Sequence, residues 1–475
     1  MKVALVTLGC DKNTVDSERY LGALMEQGAE PVPDPAAADV IVVNTCGFID
    51  AAKRESIEAI VQAARLKDTD GVQAVVAVGC MVQRHAEELR EALPEVDLFL
   101  GAAETEQLVP RLREMGLLGP VEALHPGVRT YAGDTPHVRY LKLSEGCDHG
   151  CAFCAIPLMR GRHRSFALDD VVREAQLLEA QGAREVNLVA QDLAHYGRDR
   201  RDGVGLPEAL EALVRGTTIP WIRLMYLYSA GITPRLLEVI AREPRIVRYL
   251  DMPVQHASDA VLHRMRRPER RATILDKVAR FRAAVEGVAI RTTCIVGFPG
   301  ETEDDFQSLL SFLEEVRFDR VGAFTYSAQE GTHAATLDDD VAESVKQQRL
   351  EALAEVQQGI TEARYAERVG TRAIALVERG RQARLPWQAD DIDGVTHLDD
   401  DVAPGSLVEV DVTDTDEYDF HARVLRVMQA PATPVAPGLW VCGDHRESAS
   451  IHGALLSGRR VAEAIAATDF LSVAR

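Results

Sequence analysis

Three of the eight cysteines in this 475-residue chain stand close together in the run "CDHGCAFC". Cys147, Cys151 and Cys154 form a CxxxCxxC pattern on what reads as one loop. Three thiolates at that spacing can hold three irons of a four-iron cluster and leave the fourth iron open, whereas a ferredoxin adds a fourth cysteine to close the shell. No further cysteine follows within reach. An open iron is a binding site for a substrate or cofactor; a closed cluster mainly transfers electrons. The alternative is a structural zinc with His149 as fourth ligand, although His149 lies between the other ligands in a tight loop.

A second set is spread out. Cys10, Cys46 and Cys80 are 36 and 34 residues apart, about one βα unit each, and each closes an apolar run of strand length. The runs "KVALVTLG", "DVIVVNTCGF", "VQAVVAVGC" and "VDLFLG" alternate with helical patterns, which predicts a parallel sheet with helices on its faces. Ligands bind such sheets at the carboxyl ends of the strands, so the three thiols are expected to meet there, as cluster ligands or as buried core cysteines.

From about 137 to 327 a second series follows: "HVRYLKLS", "EVNLVAQD", "WIRLMYLYS", "RYLDMPVQH", "AIRTTCIVGF" and "RVGAFTYS". Six strands, each trailed by a loop and a helical pattern, predict a partial (β/α)6 barrel whose site lies at the C-terminal strand ends. "CDHGCAFC" occupies that position after the first strand. A helix near 341–367 leads to "GTRAIALVERGRQARLPW", "SLVEVDVTD" and "YDFHARVLRV", whose period-two pattern predicts a small antiparallel β-barrel. "QAPATPVAPG" reads as a linker.

The expected fold is thus α/β and multidomain. Its parts are an N-terminal open parallel domain at 1–125, a TIM-like partial barrel at 135–365, a small barrel at 366–430, and a linker with a tail at 431–475. Eight cysteines are too few and too unevenly placed for a disulfide scaffold of this length, so metal or redox chemistry leads. Net charge is −21, which disfavours a large nucleic-acid interface. Between Thr371 and Met428 there are 13 acidic and 6 basic side chains, a net of −7, suited to a basic protein partner. The apolar run Val3 to Leu8 is too short for the core of a secretory or lipoprotein signal, and no run approaches the length of a spanning helix. A cytoplasmic chain with no membrane partner is expected.

CxxxCxxC after the first strand of a partial barrel resembles the radical S-adenosylmethionine (SAM) enzymes. In that superfamily the open iron chelates SAM, and one electron cleaves it to methionine and a 5′-deoxyadenosyl radical. The segments "LGCDKNTVDSE", "VNTCGFIDAAKRESI" and "VVAVGCMVQR" further resemble the methylthiotransferases, which carry a second 4Fe-4S cluster. The resemblance implies two 4Fe-4S clusters and SAM as cofactors, with Cys147, Cys151 and Cys154 on the first cluster and Cys10, Cys46 and Cys80 on the second. It also implies a TRAM-like C-terminal barrel and an electron donor such as flavodoxin or ferredoxin.

Phe153 matches an aromatic that the superfamily places near the adenine, with loop packing as the alternative. Gln191 and Asp192 of "AQD" end the second strand, where related enzymes contact the SAM amino group; turn formation is the alternative there. Gly297 and Gly300 of "VGFPGET" match a segment near SAM, where glycines would let the backbone approach the ligand. His256, Arg291 and Cys294 read as structural. No catalytic residue beyond the cluster ligands is expected.

"GCDKNTVDSE", "CAFCAIPLMRGRHRS", "YLDMPVQHAS" and "YSAQEGTHAA" resemble the RimO-type branch. That implies methylthiolation of the β-carbon of an aspartate in the decoding-centre protein, number twelve, of the small ribosomal subunit. A MiaB-type enzyme acting on isopentenylated adenosine in transfer RNA is the alternative, and the acidic small barrel argues against transfer RNA. From another class come a non-catalytic iron-sulfur carrier and a flavoprotein partner. The tail "GLWVCGDHRESASIHGALLSGRRVAEAI" resembles the last segment of amine-oxidase-like flavoproteins, but no GxGxxG occurs in the chain, so Cys442 is not expected to be a ligand.

Overall fold

A computed structural model describes residues 1–119, 129–131 and 135–429, with two short strands at 433–436 and 439–441. The expected boundary at 125 and the flavoprotein-like segment with Cys442 lie outside the described residues.

The first sheet contains β1 (Lys2–Thr7), β2 (Glu30–Pro31), β3 (Val40–Thr45), β4 (Ala74–Gly79) and β5 (Leu98–Gly101). Its order is β2-β1-β3-β4-β5 and every pairing is parallel. β3 and β4 are buried at every residue, as expected of Val-rich strands covered on both faces. Alternate residues feed two cores. Val40, Val42, Val76 and Val78 pack with Leu21 and Leu24 of α1 (Asp11–Glu26) on one face. Ile41, Val43, Val75 and Ala77 pack on the other with Ile60 of α2 (Asp50–Thr69) and Val82 of α3 (Cys80–Ala92). α4 (Leu108–Glu114) completes the first face through Leu108 and Leu112. The two-residue β2 had no legible period and was not expected.

Next come β6 (Val138–Lys142), β7 (Ser144–Glu145), α5 (Ile156–Arg160) and β8 (Arg164–Ser165). β7 and β8 pair antiparallel and clamp the base of the cysteine loop. β9 (Glu185–Val189), β10 (Trp221–Leu224), β11 (Ile246–Asp251), β12 (Ala289–Val296) and β13 (Arg320–Thr325) complete the second sheet with β6. It runs β13-β12-β11-β10-β9-β6, parallel throughout and open at both edges. The helices α6 (Leu168–Ala180), α7 (Leu206–Gly216), α8 (Pro234–Arg242), α9 (Asp259–Arg264), α10 (Arg271–Ala284) and α11 (Glu303–Val316) follow the strands in turn. Leu141, Leu188, Leu224 and Leu250 meet Leu178, Leu210, Leu236 and Phe281 in the largest core, each worth about 1.5–3 kcal/mol of burial. All six expected strands are present.

α12 (Glu343–Ala366) leads into β14 (Arg372–Arg379), β15 (Gln382–Arg384), β16 (Thr396–Leu398), β17 (Leu407–Asp416) and β18 (Asp419–Gln429), a closed barrel in the order β14-β15-β16-β18-β17. Four seams are antiparallel and the fifth, β16 against β18, is parallel. The expected all-antiparallel pattern is corrected there. β18 returns from β17 by a hairpin, and it closes the barrel on a three-residue strand running the same way.

The small barrel packs against the open sheet. Val138, Trp221, Val247 and Ala289, all near strand starts, pack with Leu376, Ala389 and Leu407 of the small barrel. Glu185 bridges Arg223 at 2.6 Å and also holds Arg384. The opposite end of the sheet, where strands finish, is left to the cysteines.

Candidate functional site

The loop set is shaped by its flanks. Gly146 has φ +77°, and a Cβ there would lie 2.1 Å from the Arg162 carbonyl oxygen, so only glycine permits the turn before Cys147. The Cys147 amide donates to Gly161 O at 3.1 Å and the Cys154 amide to Cys151 O at 3.2 Å. Ala152 ties the loop to the barrel on both sides, donating to Met265 O at 2.9 Å and accepting from Ala334 N–H at 2.7 Å. Phe153 is half-buried and packs in a cluster with Val261, Met265, Phe298 and Tyr326. Burial pushes the Cys147 thiol up to about 11 and Cys154 up to about 12. The Arg267 guanidinium stands 3.9 Å from Cys151 Sγ.

His149 does not turn to the thiols. Its Nε2 lies 2.7 Å from the Asp192 carboxylate and its ring stacks on Tyr228 at 4.3 Å. Asp192 also accepts the amides of Ala194 and Tyr228 at 3.0 and 3.1 Å, capping the turn after β9. His149, Asp192, Tyr228 and Cys151 line one 200 Å³ cavity. Gln191 donates to Glu145 at 2.9 Å, while its side-chain oxygen is buried with no partner. Gly297 and Gly300 have φ +71° and +75°; the space of a Cβ is taken by Lys346 at the first, and Arg264 lies against the second. His256 is fully buried beside Glu301. Arg291 pairs with Asp251 at 3.1 Å, and Cys294 sits in the main core.

The strand-end set is assembled by sheet register. Pairing of Thr7 with Asn44 and of Thr45 with Gly79 brings the ends of β1, β3 and β4 level. Cys10, Cys46 and Cys80 follow those ends. A Cβ on Gly9, whose φ is +94°, would lie 3.0 Å from Cys46 Sγ. Asn13 braces the junction by donating to Leu8 O at 2.7 Å and Thr45 O at 3.1 Å. Ser56 exchanges hydrogen bonds with the Cys46 backbone at 2.9 and 3.0 Å. Burial raises the Cys46 thiol and takes Cys80 up to about 11; Cys10 is exposed.

The two sets adjoin through α3 and α5. Cys80 packs directly with Ala155 and Met159, the former adjoining Cys154. Arg160 of α5 donates to Cys80 Sγ at 3.2 Å, to Asp16 at 2.5 Å and to Asn13 at 2.5 Å. Lys142 bridges Asp16 at 2.6 Å and Glu145 at 2.7 Å. Burial alone would raise the Asp16 carboxyl, but Lys142 and Arg160 outweigh it and hold the group at about 2. Sequence reading missed this bridge of Asn13, Asp16, Lys142, Glu145 and Arg160, and Lys12 beside it. The one signal was a concentration of polar residues in "CDKNTVDSE" on a helix whose inner face should be apolar.

The seven described cysteines are all free. Each set presents three thiols, and arginines are aimed at Cys80 and Cys151. Free thiols under guanidinium groups fit an anionic iron-sulfur cluster, which needs deprotonated sulfur. Among the described residues, no helix is long and apolar enough to cross a membrane.

Comparisons with known proteins agree with the geometry. Residues 2–101 match the model of uncharacterized protein family UPF0004, and residues 141–313 match that of the radical SAM superfamily. The chain is 47% identical to a ribosomal protein uS12 methylthiotransferase RimO of Anaeromyxobacter sp. (strain K), covering 89% of this chain and 93% of the relative. It is 46% identical to the protein of that name from Anaeromyxobacter sp. (strain Fw109-5), over 93% and 99% of the two chains. For the one from Clostridioides difficile the figures are 38%, 90% and 99%. Among solved structures, the radical S-adenosylmethionine methyltransferase TsrM of Kitasatospora setae superposes with a TM-score of 0.51 at 15% identity, covering 68% of this chain and 72% of that one. That likeness concerns the fold.

Proposed function

The chain belongs to the ribosomal protein uS12 methylthiotransferase family, and on that premise we propose that it places a methylthio group on the β-carbon of an aspartate of that small-subunit protein by radical SAM chemistry. The observation that carries this reading is the approach of two separate thiol triplets, with Cys80 against the residue that follows Cys154. Cys147, Cys151 and Cys154 are the ligands we assign to the SAM-binding 4Fe-4S cluster, and Cys10, Cys46 and Cys80 those of the auxiliary one. When bound, the first supplies reductive cleavage of SAM and the second supplies the sulfur to be inserted.

The chain's own residues have definable tasks. Ala152 and Gly146 hold the first triplet rigid, and Arg267 and Arg160 offset negative charge at the sulfurs. Gln191 keeps an unpaired acceptor at the end of β9, a partner for the SAM amino group. Asp192 orients His149. Phe153, Gly297 and Gly300 complete the SAM side in our assignment. We place the small barrel, at 366–430, as the part that meets the basic ribosomal protein, and a flavodoxin or ferredoxin as electron donor in the cytoplasm.

The test is anaerobic reconstitution with iron, sulfide, SAM and a reductant, followed by mass analysis of the ribosomal protein. One methylthio group in place of one hydrogen on the target aspartate is the expected product. SAM cleavage without any modified protein would overturn the substrate.

A further inference from the structure

Lys12 is a buried cation without an anion. It sits in the first turn of α1, two residues after Cys10, and is only 8% exposed. Among the described residues its Nζ has no hydrogen bond and no carboxylate within the 4.0 Å of an ion pair. What it touches is the Tyr226 ring, whose centroid is 3.0 Å away. A ring face replaces one of the three donor directions of an ammonium group. Burying the rest without a partner is unfavourable.

The neighbouring acids are already engaged. Asp11 accepts the Tyr226 hydroxyl at 2.9 Å. Asp251 accepts the Tyr226 amide at 3.1 Å and pairs with Arg291 at 3.1 Å. Tyr226 is held in a left-handed conformation, φ +59°, a strained state that a surrounding structure must enforce. Cys10, the residue before α1, provides no side-chain cap, so the positive end of the helix adds to the field around Lys12. By contrast, Lys142 pairs with Asp16 and Glu145, and Arg160 with Asp16.

We propose that Lys12 binds the side-chain carboxylate of the target aspartate, and so sets the enzyme's preference for an acidic residue. The inference rests on the uS12 reading above. The carbon to be modified has to come within reach of both thiol triplets, and its carboxylate, one bond away, would then come within reach of a cation two residues from Cys10. Lys12 lies against the Tyr226 ring, which follows the carboxyl end of β10. It is a specificity residue: it would hold the substrate and take no part in breaking its C–H bond.

The experiment compares the ribosomal protein carrying its target aspartate with a version carrying asparagine, a neutral isostere. With wild-type enzyme the aspartate substrate should be preferred by about 100-fold in kcat/KM, the scale of one charge-assisted hydrogen bond in a buried site. With Lys12→Met the preference should fall to within a few-fold of unity, and Lys12→Gln should behave alike. Retained discrimination in both variants would overturn the proposal. A raised KM for SAM with intact discrimination would put the cofactor's carboxylate on Lys12 and also overturn it. So would loss of about half the iron from both variants, which would make Lys12 a support of the Cys10 cluster. Failure of the wild-type enzyme on the aspartate protein would instead refute the substrate reading itself.

Discussion

Cys147, Cys151 and Cys154 are held within eight consecutive residues, whereas Cys10, Cys46 and Cys80 follow the ends of three strands and are spread over 71 residues. The compact set depends on one loop, a glycine turn and a few amides. The dispersed set depends on the register of an entire sheet. A change in loop chemistry therefore strikes one triplet alone, while a slip in β1, β3 or β4 would scatter the other, since one residue of register turns every side chain to the opposite face. The difference would suit the two duties proposed for them: a local cradle for generating a radical, and a second centre that docking brings alongside it.

The most severe break in this comparison is at the loop. Cys147→Ala, Cys151→Ala and Cys154→Ala should each reduce SAM cleavage to undetectable levels, measured as 5′-deoxyadenosine released by anaerobically reduced protein. Cleavage at the wild-type rate in any of them would remove the open-iron assignment.

Replacing Cys10, Cys46 and Cys80 together should instead remove about half of the roughly eight irons of two four-iron clusters. Methylthiolation should vanish while measurable SAM cleavage remains. Iron analysis and product mass check this, and unchanged iron would make the three thiols core residues.

Asp16 sharpens the comparison at the bridge between the sets. Its carboxyl is depressed from the ordinary 3.8 to about 2, so its contribution is present above the unfolded value and is lost as pH falls through about 2. That shift corresponds to about 2 kcal/mol. Asp16→Asn should lower the stability of apo-protein at pH 7 by about this amount and flatten its decline between pH 4 and 2. Urea midpoints across that range would show it; parallel curves for both proteins would contradict the bridge.

The smallest effect is expected far from either triplet. Asp414, Asp416 and Glu417 are exposed at the β17–β18 hairpin, and the segment from Thr371 to Met428 carries a net of −7. Reversing all three to lysine should slow association with the basic ribosomal protein by about tenfold at low salt and by less at 0.15 M, where the Debye length shortens to about 8 Å. Stopped-flow association at two ionic strengths measures this. Equal rates for both proteins would show that the acids form only a solvated face.

Much of this architecture was legible. The Val-rich runs ending at Thr45 and Gly79 announced buried parallel strands, because continuous apolar runs need cover on both faces. CxxxCxxC announced its chemistry because its ligands are local. Strands too short to show a period, β2 and β16, were not legible, and neither was the parallel seam that β16 makes. Asp192 was expected toward SAM; its carboxylate is occupied by His149 and two amides, a partnership that depends on where the loop folds back.

What the sequence determined by itself is therefore everything carried by short-range spacing: the loop triplet, the alternation of strands and helices, and the acidic character of the last barrel. Tertiary structure alone decided the rest. The order β2-β1-β3-β4-β5 put three distant cysteines just past the ends of neighbouring strands, and the docking of α1 and α3 on α5 set Cys80 against Ala155. It also left Lys12 with an aromatic face and, among the described residues, no ion-pair partner. These facts arise from pairing between residues far apart in the chain, and their energies depend on burial and on the sign of neighbouring charges. No local pattern of letters encodes either until the sheets have closed on one another.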